Sequence, residues 1–312
     1  MKVFVAGATG VLGRRLVPLL IDAGADVSAV ARSTDKAAQL ERQGAKPVRV
    51  SLFDPAAVET AVAGHDIVIN IATSIPSGRQ AFLPGAFDQN SRIRSEGSQN
   101  LAAAAIATRA RLFIQESFAP VYPDCGDEWI DENVAIEPAK YLGSVSDAEN
   151  AALEFTRSGG IGVALRFSVF YGPDSSITRD LLSSVKKGIA PYFGNEGGYM
   201  SSIHADDAAR AVVAALSVPA GIYNVSDDTP LRRQEAFALL AAELGVKAPR
   251  GLPAWVGKAM GSIGETLTRS HRISNSKFRQ AANWIPEVPS LRQGWKVLMR
   301  QLEGGGTHPR HA

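Results

Sequence analysis

The chain is poor in cysteine and in long hydrophobic runs. Cys125 is the single cysteine among 312 residues, so an intrachain disulfide and a metal site built from several thiolates are both excluded. No apolar stretch reaches the length that a membrane-spanning helix needs, and a strand pattern from residue 2 leaves no room for a signal peptide. These absences predict a cytoplasmic protein that has no contact with a membrane.

Charge of one sign is not in excess either. The 33 Lys and Arg residues and the 31 Asp and Glu residues give a formal net charge of +2. No basic stripe marks a nucleic-acid surface. Neither a G-x-S-x-G elbow nor a Walker motif occurs, which excludes the hydrolases and NTPases that need them. His204 has no second ligand at a zinc spacing, so no metal site is predicted. The expected partner is a small-molecule substrate.

The sequence does contain a glycine-rich turn close to its start. A short apolar strand pattern covers residues 2–6, three glycines follow at G-x-x-G-x-x-G spacing, and an apolar helical pattern starts at once. Backbone N–H groups at such a helix start have no intrahelical partner and favour an anion such as a pyrophosphate. One glycine makes the tight turn, one admits the phosphates and one lets the helix approach the strand. The predicted dinucleotide-binding residues in this turn are Gly7, Thr9, Gly10, Val11, Leu12 and Gly13.

Strand and helix patterns alternate through the first half of the chain. Runs such as IVINIA and LFIQ are apolar throughout, which is typical of strands covered on both faces of a parallel sheet. We therefore predict an α/β fold with a doubly wound parallel sheet whose ligand lies at the carboxyl ends of the strands. Residues 1–173 form the predicted NAD(P)-binding domain. Residues 174–303 form a mostly helical substrate-binding lid, from which helix 205–216 and strand 221–225 return to the first domain, and residues 304–312 form a disordered tail.

The tip of the second predicted strand indicates which dinucleotide binds. A carboxylate there would bond the ribose 2′-hydroxyl of NAD, whereas an arginine suits the 2′-phosphate of NADP. No Asp or Glu occurs between Val27 and Ser33, and Arg32 occupies the position. The Ser33 hydroxyl could bond the same phosphate. We therefore expect NADP(H) as the preferred cofactor, with NAD(H) as the alternative. The other interpretation of Arg32 is a solvated charge at a strand end.

The GATGVLG segment resembles the start of the short-chain dehydrogenase/reductase superfamily, in particular its extended branch of NAD-dependent epimerases and dehydratases. Further along the chain, NIAT and RFSVFYGP are similar to motifs of that branch. The resemblance implies that the backbone of Ala72 lines the cofactor, that Arg166 lies beside the nicotinamide and that Asp54 contacts the adenine. A helix N-cap is the alternative for Asp54. Members of the superfamily often dimerise, so the resemblance also allows a homodimer.

The catalytic residues of this superfamily are only partly present. Its enzymes use a Ser or Thr, a Tyr and a Lys four residues after the Tyr, on the same helix face. The stretch PAKYLGSVSDAENAALEF aligns Tyr141 with the tyrosine, but Val145 stands where the lysine is expected. The usual serine position falls at Phe118, beside Ser117. The resemblance thus implies an atypical member with Tyr141 and Ser117 as candidate catalytic residues. A packing tyrosine and a serine bonded to the backbone are the alternatives, and Lys140 could supply part of the missing charge.

These features predict an NADP(H)-dependent oxidoreductase that transfers hydride to or from a small organic carbonyl or hydroxyl compound. Two other functions remain open from the sequence. The first is an NAD-dependent epimerase or dehydratase that acts on a substrate similar to a sugar nucleotide. The second is a non-enzymatic protein that binds NADP(H) or senses its redox state.

Overall fold

The computed structural model describes residues 1–304, apart from the side chains of residues 79 and 82. The predicted disordered tail therefore lies outside the described residues, except for Gly304, which ends the last helix. No helix among the described residues is long and apolar enough to cross a bilayer.

The first half alternates strands and helices, and the second half adds helices and several very short strands. The strands are β1 (Lys2–Ala6), β2 (Asp26–Val30), β3 (Lys46–Val48), β4 (Ile67–Asn70), β5 (Leu112–Phe118), β6 (Trp129–Ile130), β7 (Ile161–Phe167), β8 (Val169–Tyr171), β9 (Ile189–Phe193), β10 (Tyr199–Met200), β11 (Ser202–His204), β12 (Gly221–Val225), β13 (Leu231–Arg232), β14 (Arg250–Leu252) and β15 (Arg272–Ile273). The α-helices are α1 (Gly13–Asp22), α2 (Thr34–Arg42), α3 (Pro55–Val62), α4 (Asp88–Arg92), α5 (Ser98–Ala107), α6 (Ser144–Arg157), α7 (Ser176–Lys186), α8 (Ala205–Ala214), α9 (Arg233–Glu243), α10 (Ala254–Ala259), α11 (Gly261–Thr268), α12 (Ser276–Ala282) and α13 (Leu291–Gly304).

Seven strands form one parallel sheet in the order β12-β7-β5-β4-β1-β2-β3. In its centre Val3 of β1 lies opposite Ile67 of β4, and Leu112 of β5 lies opposite Ile161 of β7. The predicted doubly wound parallel sheet is therefore confirmed. From β1 the chain continues to β2 and β3 on one side and then returns to β4 on the other side of β1. Where the strand order reverses in this way, a crevice for a ligand opens at the carboxyl ends of the strands.

Helices cover both faces of the sheet. On one face α1 and α8 pack together and bury Leu16, Leu20 and Val212 against the strands. On the other face α3, α5 and α6 bury Val62 and Phe155. This double cover explains why the central strands are apolar on both sides. The strand β12, from the second half of the chain, completes one edge of the sheet beside β7.

The second half contains more strands than its sequence pattern indicates. Four two-stranded pairings join β10 to β13, β11 to β8, β14 to β9 and β15 to β6. Most of these strands are two or three residues long, which is too short for an alternating pattern to be recognised. The sequence pattern over residues 254–268 predicts one continuous helix, but the structure divides it, because the backbone at Gly261 has a φ of +60° and separates α10 from α11.

Candidate active site

A cavity of about 560 Å³ opens at the carboxyl ends of β1 to β4. Its walls come from the glycine turn after β1, the ends of β2 and β3, the segment after β4 and two residues near α4. The lining residues are Gly7, Thr9, Gly10, Val30, Ala31, Arg32, Lys36, Arg49, Val50, Ser51, Leu52, Phe53, Ile71, Ala72, Thr73, Gln89 and Ile93. The cavity thus lies where a doubly wound sheet binds its ligand.

The three glycines of the turn differ in what a side chain would meet. Gly7 has a φ of +91°, and a Cβ there would lie 2.5 Å from the carbonyl carbon of Ile71. At Gly13 a Cβ would lie 2.4 Å from the backbone of Ala8, so this glycine lets α1 approach β1. At Gly10 the nearest atom would be the Gly7 carbonyl oxygen, at 3.4 Å. A Cβ at Gly10 would therefore fill the space that a dinucleotide phosphate needs, and the turn fits a dinucleotide.

Three cations line one end of this first cavity, which we call the dinucleotide cavity. Arg32 follows β2, Lys36 lies in the first turn of α2, and Arg49 follows β3. All three side chains are exposed. The sequence reasoning missed Arg49 as a cavity residue. The available signal was its place just after the third strand, because β2 and β3 are neighbours and their tips meet at the same edge of the sheet.

Other predicted cofactor residues do not face this cavity with their side chains. The Ser33 hydroxyl caps α2 by accepting a bond from the Lys36 N–H at 3.4 Å. The Asp54 carboxylate caps α3 by accepting a bond from the Ala57 N–H at 3.1 Å, which is the N-cap alternative named above. Of the turn residues, Val11, Leu12 and Gly13 are absent from the cavity lining.

Arg166 and Ser117 belong to a buried hydrogen-bond network and do not line the dinucleotide cavity. Both are buried, with 4% and 0% of their surface exposed. The Arg166 guanidinium donates two bonds of 2.7 Å to the carboxylate of Glu149 and one of 2.6 Å to the Tyr122 hydroxyl. The Ser117 hydroxyl donates to the same Glu149 carboxylate at 2.6 Å. In the structure both side chains therefore bond to Glu149.

A second cavity of about 350 Å³ lies next to the first along the edge of the sheet. It opens beyond the ends of β5 and β7, and the lid segments between α7 and β15 close it. Most of its walls are apolar or aromatic. The lining residues are Phe118, Ala119, Pro120, Tyr141, Ser168, Val169, Ile177, Asp180, Leu181, Ser184, Pro191, Tyr192, Tyr199, Met200, Ser201, Arg233, Phe237, Thr266, Leu267, His271 and Ile273.

Tyr141 lines this second cavity from a short 3₁₀ turn over residues 140–142, just before α6. Its ring packs against Phe87, with the ring centroids 4.8 Å apart. Burial raises the pKa of the Tyr141 hydroxyl, and the neighbouring Thr266 side chain and Arg94 guanidinium only partly counter this rise. The hydroxyl is therefore protonated at neutral pH and can donate a proton or a hydrogen bond into the cavity.

The two positions where the superfamily carries serine and lysine hold apolar residues here, and both lie in apolar surroundings. Phe118 ends β5 and lines the second cavity. Val145 is fully buried in the first turn of α6 and packs with Leu142 and Val121. No cation can therefore reach Tyr141 from position 145. Lys140 is exposed and does not line the cavity.

Ser168 and His271 are two cavity residues that the sequence reasoning missed. The Ser168 hydroxyl is buried and has no hydrogen-bond partner among the described residues. Burial lowers the pKa of His271 to about 4, so its imidazole is neutral at pH 7. The ring Nε2 lies 2.9 Å from the Tyr122 carbonyl oxygen, which can only accept a bond, so the proton sits on Nε2. Ser168 lies within the RFSVFYGP segment, where the resemblance drew attention to Arg166 instead, and no sequence motif marked His271.

Comparison with known proteins identifies the family. A sequence model described as the NAD dependent epimerase/dehydratase family matches residues 3–226. The chain belongs to this family. That membership confirms the expected resemblance, and it supports a nicotinamide dinucleotide as the cofactor.

The relatives include reductases, and the structural neighbours include epimerases. A 3-diazoavenalumate denitrifying reductase from a Streptomyces species is 32% identical over 308 residues, which covers 94% of this chain and 99% of the relative. A 2-alkyl-3-oxoalkanoate reductase from Shewanella oneidensis is 27% identical, with coverages of 85% and 72%. A UDP-glucose 4-epimerase from Thermotoga maritima superposes with a TM-score of 0.78 at 20% identity, over 98% of this chain and 99% of that chain. The chain is an enzyme of the NAD(P)-dependent oxidoreductase type, as predicted.

Proposed function

We propose that this enzyme is an NADPH-dependent reductase of a small, largely apolar organic substrate. The observation that carries the proposal is the pair of adjacent cavities. The first has a glycine cradle and a cationic end, and the second has an apolar wall that contains Tyr141. When bound, the dinucleotide supplies a hydride from its nicotinamide ring. A homodimer remains an expectation without support from these observations.

The cationic end of the dinucleotide cavity supports the choice of NADPH. In the part of the chain that the structure describes, no acidic side chain lines this cavity, whereas Arg32, Lys36 and Arg49 do. A guanidinium can hold a phosphate through two parallel hydrogen bonds. Three cations with no carboxylate among them favour a 2′-phosphate over a 2′-hydroxyl.

The chain's own residues shape the reaction site in three ways. The apolar wall around Phe118 excludes water and orients the substrate. Tyr141 donates its hydroxyl proton, or a hydrogen bond, to the atom on which negative charge develops. The unpartnered Ser168 hydroxyl offers a second donor to the same atom or a neighbour of it. Ser117 takes no part in this proposal, because its hydroxyl donates its hydrogen bond to the Glu149 carboxylate.

The apolar lining favours a reductase substrate over a sugar nucleotide. A pyrophosphate-bearing sugar needs several cations and many polar partners, whereas the described lining of the second cavity contains one arginine, Arg233, among aromatic and aliphatic side chains. The relatives with the names given above are reductases of organic acids or of a diazo compound. We therefore assign this chain to reduction of a small organic molecule and not to epimerisation.

The absence of a serine and a lysine at the two catalytic positions supports a second candidate reaction, which is also a reduction by hydride transfer. Hydride transfer to a carbonyl creates an alkoxide, which needs a proton donor. Hydride transfer to an aryl diazonium carbon forms the C–H bond as dinitrogen leaves, and no proton is consumed. The apolar residues Phe118 and Val145 at the two catalytic positions are compatible with such chemistry. One relative is named for a denitrifying reduction of a diazo compound.

Turnover of NADPH with defined substrates tests the proposal. The panel contains a 3-oxoalkanoate, an aryl ketone, an aryl diazo compound and UDP-glucose, each with NADPH and with NADH, under steady-state conditions. We expect NADPH consumption with at least one of the first three compounds and none with UDP-glucose. Epimerisation of UDP-glucose with a retained cofactor, or consumption of NADH alone, would contradict the proposal.

A further inference from the structure

The second cavity contains a buried guanidinium that forms no ion pair with a carboxylate among residues 1–304. Arg233 begins α9 and has only 6% of its surface exposed. Within residues 1–304 its hydrogen-bond partners are three backbone carbonyls, those of Asn195, Thr268 and Arg269. By contrast, the buried Arg94 and Arg166 pair with Glu116 and Glu149. A buried charge without a counterion is costly, so this one calls for an explanation.

The geometry of these bonds leaves part of the guanidinium free. An arginine has five N–H donors. Its Nη1 engages the carbonyls of Asn195 and Thr268, each at 3.3 Å, and its Nη2 engages that of Arg269. The Nε–H and one N–H of Nη2 therefore remain. Two such donors can hold both oxygens of a carboxylate through parallel bonds.

The surroundings favour an anion with an apolar body. Tyr192 and Phe237, whose ring centroids are 5.6 Å apart, line the cavity together with Arg233. Asp180 is the one acidic residue of the described lining, and it is exposed. Asp124 also influences the guanidinium, but its Oδ1 accepts bonds from the N–H groups of two loop residues. Burial lowers the pKa of Arg233 to about 10, which still leaves it charged at pH 7.

We infer that Arg233 forms a carboxylate subsite and that the substrate is an aromatic or similarly apolar carboxylic acid. The inference rests on the proposed function, because it specifies the substrate class of the same cavity. The carboxylate binds the free Nε–H and Nη2–H of Arg233, and the apolar body lies along Tyr192 and Phe237. The reducible group at the other end of the molecule then extends towards Tyr141.

A matched pair of ligands tests this subsite without turnover. The probes are trans-cinnamate and its neutral isostere trans-cinnamamide, titrated by calorimetry into the cofactor-free full-length enzyme. We expect the acid to bind at least about tenfold more tightly than the amide, because a bidentate charged pair adds more than a neutral bond. Equal affinities of the wild type for the two probes would overturn the inference.

Variants at two adjacent arginines locate the effect. Arg233→Gln keeps donors for the backbone carbonyls but removes the charge, so the preference for the acid should disappear. Arg233→Lys restores a charge and should recover part of that preference. Arg232→Gln is the control, because Arg232 pairs with Asp127 at 3.0 Å and does not line the cavity. A preference that survives in Arg233→Gln would overturn the inference, as would its loss in Arg232→Gln alone.

Two further readouts separate folding and cofactor effects from the subsite. If Arg233→Gln does not fold, a crystal structure of the wild type with cinnamate decides. A carboxylate on Arg233 supports the inference, and cinnamate bound elsewhere overturns it. NADPH titrations of the same samples are independent of this subsite. A failure to bind NADPH would contradict the proposed function, whereas the acid-to-amide ratio reports on Arg233 alone.

Discussion

The proposed preference for NADPH depends on single residues at the tips of β2 and β3. Arg32 and Arg49 extend from neighbouring strands, and Lys36 adds a third charge from the start of α2. None of the three takes part in an ion pair among the described residues, so each is available to a phosphate. Arg32 lies two residues after the end of β2 and is the residue on which the sequence-based expectation of NADPH depends.

Arg32→Ala is expected to weaken NADPH binding by about 1.5–3 kcal/mol, as for other hydrogen bonds to a charged group. The affinity for NADH should change little, because NADH lacks the phosphate. Calorimetric titration of both cofactors measures this difference. Arg42→Ala removes an exposed arginine from the end of α2, outside the cavity lining, and serves as the control. An equal loss for NADH would show that Arg32 contacts a group shared by both cofactors.

Tyr141→Phe is expected to lower turnover of a ketone or 3-oxoalkanoate by roughly 10²–10⁴-fold, the range for general acid catalysis, without changing NADPH affinity. The active form is the protonated phenol. Because burial raises its pKa, the wild-type rate should stay level through neutral pH and fall only as the pH rises above the ordinary tyrosine value of about 10. Steady-state rates against pH measure both effects.

Tyr199→Phe is the control for this prediction, since it removes a hydroxyl from the same cavity. If Tyr141→Phe leaves the rate with a ketone unchanged, Tyr141 is not the acid. An unchanged rate with a diazo substrate alone would instead support the candidate mechanism that consumes no proton.

Ser117→Ala distinguishes a catalytic serine from a structural one. The hydroxyl is fully buried and donates to the Glu149 carboxylate, so its loss leaves a buried charge with one donor fewer. We expect the free energy of unfolding to fall by about 1.5–3 kcal/mol, with kcat nearly unchanged. Urea unfolding and steady-state kinetics measure the two quantities. A large fall in kcat at unchanged stability would restore Ser117 to the catalytic residues.

At the scale of elements, the glycine turn between β1 and α1 combines two separate requirements. Gly13 permits the close approach of helix and strand, and Gly10 leaves the cavity side of the turn open. The chain after β4 forms the opposite wall, where the Ala72 N–H donates to the Asn70 side chain at 3.2 Å. The turn therefore serves the fold at one glycine and the ligand at another.

Gly10→Val is expected to abolish dinucleotide binding while the protein remains folded, because the added side chain points into the cavity and meets little protein. Gly13→Val should unfold or strongly destabilise the protein, because its Cβ would lie 2.4 Å from the Ala8 backbone. Far-UV circular dichroism and cofactor titration separate the two outcomes. Wild-type NADPH affinity in Gly10→Val would place the cofactor elsewhere.

Elements with a clear hydrophobic periodicity were predictable from the sequence, whereas elements whose conformation depends on tertiary packing were not. The patterns predict a strand over residues 2–6 and a helix over 55–62, and β1 and α3 begin and end at these residues. The pattern over residues 91–107 predicts one helix, but the structure has a π-helical turn at Ile93–Gly97 between α4 and α5. This turn carries Arg94, which pairs with the buried Glu116 at 2.8 Å. A tertiary ion pair of this kind has no signature in local periodicity.

At the scale of the whole molecule, the two cavities at the carboxyl ends of the sheet differ in how far apart in sequence their lining residues lie. The first cavity is built from β1 to β4, whose motifs are local in sequence, and its lining includes the predicted residues Gly7, Thr9, Gly10, Arg32 and Ala72. The second cavity combines the ends of β5 and β7 with lid segments distant in sequence, and its lining extends over 155 positions, from Phe118 to Ile273. Its polar residues Arg233 and His271 therefore became visible only in the folded chain.

The same contrast applies to Arg166 and Ser117, whose roles in cofactor binding and catalysis stay predictions. Both follow family motifs at strand ends, which suggested a ligand site. In the fold they meet Glu149 of α6 and form a structural network with Tyr122, whose hydroxyl donates to Asn224 at 2.9 Å. That network links β5, β7, α6 and β12 beneath the second cavity. A sequence pattern alone does not distinguish a charged pair below a site from a residue within it.

The comparison of NADPH with NADH in the unmodified enzyme tests the central claim most directly. Both cofactors are titrated calorimetrically at the same pH and ionic strength, because exposed cations are sensitive to salt. The cationic end of the dinucleotide cavity predicts that NADPH binds at least about tenfold more tightly, a difference of about 1.4 kcal/mol. Equal affinities, or tighter binding of NADH, would contradict the assignment of this enzyme as an NADPH-dependent reductase.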